Sequence, residues 1–186
     1  MLIFSMSVSV DGYITDRRGG FEWTAPDDEQ FVFRTEQVGE LGVYLCGRRL
    51  YEDMLPWEND PSMRSTEALA AFADIWSALP KVVFSRTLDR VDGNARLAEG
   101  SVADEIAAAH VATDKDVSIG GASLAAAAFE LDLVDELRLF RNPIIVGGGT
   151  PLLPPVASEL PLDLVETRAF GSRTIYERYR RVRETE

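Results

Sequence analysis

A chain of 186 residues, 46% hydrophobic and 27% charged, has the size and balance of one globular domain spanning residues 1–186. Its net charge of −12 repels phosphate backbones and anionic bilayers, which excludes nucleic acid and membrane surfaces as expected partners. No apolar run reaches the ~20 residues a bilayer needs, and the start MLIFSMSVSVDGYI lacks a secretory pattern, so the expected location is cytoplasmic.

The opening LIFSMSVSV is short, apolar and β-branched, and Asp11-Gly12 closes it with turn chemistry, which predicts a buried strand. The stretch TDRRGGFEW has no periodicity and reads as a mobile surface loop able to act as a lid, with Phe21 and Trp23 pointing back into the protein. Asp27 and Asp28 begin a helix whose Phe31 and Val38 share a face. GVYLC is a second strand, with Cys46 as a small buried residue, and it runs into Gly47-Arg48-Arg49-Leu50 as a strand-to-helix junction.

A polar connection around Pro56 to Pro61 leads to a helix ending near Leu79, and KVVFS is the third strand. A short edge strand is expected at Asn94 to Leu97. Ser101 then N-caps the helix VADEIAAAHVA, where the single histidine, His110, takes a partly covered position without a chemical role. Asp116 to Ile119 form a strand that leads through Gly120-Gly121 into the helix ASLAAAAFELD.

Alternating strands and helices imply a mostly parallel sheet covered on both faces. The end differs: ELRLFRNPIIVGG, LDLVETRAF and RTIYERYRRV are strands without helices between them, the last two a hairpin joined at Gly171-Ser172. The expected fold is therefore a three-layer α/β/α domain with a mixed sheet.

Ligands of such sheets settle at the carboxyl ends of strands. Three junctions qualify: Gly47-Arg48-Arg49, Ser85-Arg86-Thr87 and Gly120-Gly121-Ala122-Ser123. A glycine pair opening a helix lets backbone approach a diphosphate, though a tight turn explains the same residues. Arginines at separate strand ends grip phosphate oxygens, and the Ser85-Arg86 pair suits an additional monophosphate, whereas surface salt bridges are the plainer account of each arginine alone. Neither a GxGxxG fingerprint after the first strand nor a Walker lysine is present.

In order, VSVDGYI, CGRRLYE, KVVFSRTL, VSIGGASL and LVDELRLFRNPIIVGGGTPLL resemble the dihydrofolate reductase fold, and most closely the bacterial reductases akin to the C-terminal reductase domain of the riboflavin biosynthesis protein RibD. The resemblance covers nearly the whole chain and implies an NADPH-dependent oxidoreductase, commonly a homodimer, acting on a small heterocycle of the pterin or aminopyrimidine kind or on a carbonyl compound. It assigns Gly47, Arg48 and Arg49 to a phosphate-contacting helix start, Ser85, Arg86 and Thr87 to the 2′-phosphate, and Ile119, Gly120, Gly121, Ala122, Ser123 and Leu124 to the diphosphate. Ser7 and Ile14 match positions lining the nicotinamide pocket. The family often has a cis peptide between its two glycines.

There are departures. Leu50 stands where the family usually has a threonine hydroxyl. Asp27 or Asp28 corresponds to the family's acid, but a helix-start carboxylate also serves as a dipole partner. Trp23 and Phe31 are candidate walls of a substrate pocket, and Gly147-Gly148-Gly149-Thr150 reads as a turn between late strands. Two other readings stay open: a cofactor-binding protein without turnover, and a scaffold whose LRLFRNPIIV edge pairs into a homodimer and whose glycines are only turns.

Overall fold

In a computed structural model, which describes residues 1–183, the apolar opening forms β1 (Leu2–Ser9) at the middle of the sheet, parallel to β5 (Asp116–Gly120) on one side and β6 (Glu136–Asn142) on the other. Burial on both faces explains its unbroken apolar character. Leu2, Phe4 and Val8 pack with Ile106 and Ala109 of α5 (Val102–Ala112) and with Ala125, Ala128 and Phe129 of α6 (Ala122–Glu130). Ile3 points the other way, among Phe72, Trp76 and Leu79 of α4 (Glu67–Ala78) and its exit, with Phe31 and Val38 of α1 (Asp28–Gly39) against them. The three layers are thus in place.

The eight strands lie in the order β4-β3-β2-β5-β1-β6-β8-β7, where β2 is Leu41–Gly47, β3 Lys81–Phe84, β4 Ala95–Leu97, β7 Leu162–Ala169 and β8 Ile175–Arg181. The first six are parallel, while β8 and β7 join antiparallel as the C-terminal hairpin. Its turn closes with Arg173 at φ 67, so an arginine, not Gly171, takes the left-handed position.

Helix starts follow the side chains. Asp27 Oδ1 accepts from Gln30 N at 2.8 Å, Thr66 caps α4, and Ser101 with Asp104 forms a capping box at α5. The polar connection expected at Pro56 to Pro61 is more ordered than its composition suggests. Pro56 opens α3 (Pro56–Asn59), which follows α2 (Arg48–Met54), and Pro61 opens a 3-10 turn, each proline where its missing N–H costs nothing.

Four charged residues tie β6 to β8 on the α1 face. The register sets Glu136 opposite Arg180 and Arg138 opposite Arg178. Glu136, fully buried, accepts from Arg138 Nε at 2.8 Å and lies 2.9 Å from Arg178 Nε and 3.5 Å from Arg180 Nη2. Beyond β8, at the edge of the sheet, β7 is exposed along its whole length, with Leu162, Leu164 and Val165 open to solvent.

Candidate functional site

The strand order brings the three predicted junctions together. β3, β2 and β5 are consecutive neighbours and parallel, so Gly47-Arg48-Arg49, Ser85-Arg86-Thr87 and Gly120-Gly121 emerge side by side at one edge. Gly47 pairs with Phe84, and Cys46 with both Val83 and Gly120. A side-chain bond links two of the loops: Arg48 donates from Nη1 to Thr87 Oγ1 at 2.7 Å and from Nε to Glu52 at 2.7 Å. Ser85 Oγ accepts from the amides of Thr87 and Leu88 and lies 3.4 Å from Thr87 Oγ1.

The two glycines have different reasons to be glycine. Gly121 adopts φ +92 as the N-cap of α6, and a Cβ there would meet nothing within 4 Å, so its backbone faces open space. At Gly120 a Cβ would crowd Tyr44 and Leu50. The bond between them is trans, since no peptide among the described residues is cis. Gly47 has the same open surroundings as Gly121. Arg49 and Arg86 are exposed and have no carboxylate within 4 Å among the described residues. Two open glycines at helix starts, beside two exposed guanidiniums that make no close ion pair, in a chain of net charge −12, fit the phosphates of a dinucleotide. Of the other residues expected at a diphosphate, Ala122, Ser123 and Leu124 form the first turn of α6, whereas Ile119 is wholly buried in the core and offers only backbone.

Beside this edge, between the sheet and α1, α2 and α4, lies a cavity of about 360 Å³. Its walls are aromatic: Phe31, Trp57, Phe72, Trp76, Tyr44 and Phe140. Phe31 stacks on Trp57 with centroids 5.9 Å apart. Leu50, expected at the cofactor, reaches this cavity as well as Gly120. Ser7 accepts from Arg34 Nη2 at 2.7 Å, so the expected nicotinamide position is bonded to a cavity residue. Ile14, the second such position, packs against the core around β1.

Other expectations are displaced. Trp23 stands in the 3-10 turn Glu22–Thr24, partly covered, while the neighbouring Thr24, Ala25 and Pro26 are the residues that border the cavity. Phe21 does not turn inward and is 45% exposed. The candidate acid Asp27 is outside the cavity lining, and both of its oxygens hold backbone amides, those of Gln30 and Ser172. Asp28 is exposed in the first turn of α1. His110 ends α5 in an exposed position, and the buried thiol of Cys46 is pushed up to about 12 by burial, far from nucleophilic use.

The loop expected to be mobile is instead pinned. Asp16 accepts from Arg18 N and Gly20 N, Asp11 from Val146 N and Gly147 N, and Arg17 donates to Gly147 O. Gly147, Gly148 and Gly149 all have positive φ, and a Cβ on Gly149 would collide with Thr15 O at 1.9 Å. Gly149 serves close backbone approach to Thr15 and Asp16, Gly148 lies against the Arg17 side chain, and the positive φ of all three fits a turn.

Sequence reasoning missed Arg34, Gln37, Tyr44, Ser118 and Arg138 at the cavity. The one local signal for Arg34 is its spacing three residues after Phe31, on the same face of α1. Burial pushes the Tyr44 hydroxyl well above its usual range, so it stays protonated and able to donate.

Comparisons with known proteins agree with this architecture. The chain is 29% identical over 181 residues to the protein YyaP of Bacillus subtilis (strain 168), covering 94% of this chain and 91% of that one. A riboflavin biosynthesis protein of Shewanella sp. PV-4 has a similar structure, with a TM-score of 0.76 at 25% identity over 98% of this chain and 99% of the other. Dihydrofolate reductase from Enterococcus faecalis, solved with NADP(H), shares the fold with a TM-score of 0.63 at 18% identity over 97% and 96% of the two chains. The family model of the RibD C-terminal domain matches residues 1–176, and the chain belongs to that family.

Proposed function

We propose that the chain is an NADPH-dependent reductase of a small heterocyclic substrate, pterin- or aminopyrimidine-like, or of a carbonyl compound. The observation that carries this reading is the side-by-side emergence of three loops from β3, β2 and β5, next to an aromatic cavity. In it, Ser85 and Arg86 hold the 2′-phosphate, Arg48, Arg49 and the backbone of Gly120-Gly121 hold the diphosphate, and Ser7 and Ile14 border the nicotinamide. NADPH, when bound, supplies a hydride, so that the substrate gains that hydride and one proton. The aromatic walls orient the ring face and exclude bulk water. Because both oxygens of Asp27 are held by backbone amides, the proton comes from water in the cavity, beside the hydroxyls of Tyr44 and Ser118.

Titration with NADPH, read as quenching of the cavity tryptophans, tests the first half, and oxidation of NADPH by a panel of pterins, aminopyrimidines and simple carbonyl compounds tests the second. Saturable binding with turnover of at least one compound is expected. Absence of binding overturns the reading, and binding without turnover by the whole panel leaves a binding protein.

β6, from the run LRLFRNPIIV expected to pair, is interior to the sheet between β1 and β8, so the accompanying proposal of a homodimer rests on β7, an edge strand left open to pairing with Leu162, Leu164 and Val165 exposed among charged residues. Sedimentation should show a dimer for the wild type and a monomer for Leu164→Lys. A monomeric wild type at high concentration removes the proposal.

A further inference from the structure

The cavity beneath α1 has a charge character opposite to that of the chain. The sequence carries 31 Asp and Glu against 19 Lys and Arg, yet the cavity lining contains two arginines, Arg34 and Arg138, and no carboxylate. Arg138 is answered by Glu136 at 2.8 Å. Arg34 is not answered. Every other arginine among the described residues is either exposed or within 4.0 Å of a carboxylate; Arg34 is partly covered and has none.

Its surroundings are neutral. Ser7 Oγ accepts from Nη2 at 2.7 Å. With the Gln30 amide turned so that both of its ends are satisfied, Gln30 Oε1 accepts from Nη2 at 2.6 Å and from Nε at 3.1 Å. The guanidinium carbon stands 3.9 Å above the Phe140 ring. These contacts fix the plane of the group and leave Nη1 with no protein acceptor. Burial holds the Arg34 pKa down, at about 10, which still leaves it charged at neutral pH.

A second donor in the same wall is also unmatched. Trp76 is 3% exposed, and its Nε1 is buried without an acceptor. The buried Trp76 donor carries a desolvation cost that a ligand acceptor relieves. Aromatic faces, donors without acceptors and one uncompensated positive charge define the complement together.

We infer that the cavity takes a flat, conjugated substrate bearing a carboxylate, with the carboxylate seated on Arg34 and the ring between the aromatic walls. One unpaired guanidinium matches a monoanion, whereas a phosphate ester would bring about two charges against one. Arg34 bonds Ser7, so the anion would lie beside the position assigned to the nicotinamide. As a statement about the substrate this rests on the reductase reading. As a binding site it is measured apart from it.

The test compares two isosteric probes, 2-naphthoate and 2-naphthamide, by calorimetry on the full chain, with NADPH binding measured separately. Naphthoate should bind at least about tenfold more tightly than naphthamide, as a charge-assisted contact requires. Arg34→Met should abolish that preference, Arg34→Lys should keep part of it, and Arg90→Met, which removes one exposed charge elsewhere, should keep all of it. No preference in the wild type overturns the proposal without reference to any variant. So does a preference that survives Arg34→Met or is lost in Arg90→Met. If naphthoate is preferred and NADPH does not bind, the anion site stands and the reductase reading falls; the reverse pair of results does the opposite.

Discussion

Arg86→Ala should weaken NADPH binding roughly tenfold or more at low ionic strength while leaving NADH within about twofold of the wild type. The two cofactors differ by the 2′-phosphate alone, and Arg86 follows β3 at the outer end of the three-loop edge. A charge-assisted contact to phosphate is worth about 1.5–3 kcal/mol, but Arg86 is exposed, so screening places the effect at the lower end of that span. Calorimetric titration with both cofactors checks it. Equal losses for NADPH and NADH would remove Arg86 from the 2′-phosphate and return it to the general field of the edge.

The largest loss of stability should come from Glu136→Gln, about 3–5 kcal/mol by chemical denaturation at pH 7, because the substitution leaves Arg138 buried without a counter-charge. Burial alone would raise the Glu136 pKa, but Arg178 and Arg138 outweigh it and hold the carboxyl below its usual range. A depressed folded-state pKa contributes stability above the unfolded value and loses it as the pH falls. The gap between variant and wild type should therefore be full at neutral pH and narrow below about pH 4. A gap that stays constant on acidification would show that the carboxylate's charge is not what the network uses.

Much of the fold was legible because its signals are local. Ser101 with Asp104, Gly12 after Asp11, and the β-branched run of β1 each determine their own backbone with little help from elsewhere. The parallel order of the strands then delivers the three loops to one edge, so their gathering could be anticipated from strand ends alone. The cavity could not. Arg34 in sequence looks like any charge on an amphipathic helix, and it is covered because Phe140, from a strand formed late in the chain, lies beneath it. Phe21 and Trp23 show the same limit from the other side: aromatics in a loop carry no statement of which way the turn at Glu22–Thr24 will face them. Asp27 was visible as a helix-start residue, but its bond to Ser172 depends on the final hairpin.

That last bond bears on the order in which the protein is made. Helix α1, which carries Phe31 and Arg34, is held from the far end of the polypeptide: Ser172 N donates to Asp27, Gln37 donates to the Tyr176 hydroxyl at 2.8 Å, and Phe33 packs on Phe170 and Tyr176. As the chain emerges from the ribosome, β2, β3 and β5 have been synthesised well before these partners exist. The chamber beneath α1 is thus the last part of the molecule to gain its full support.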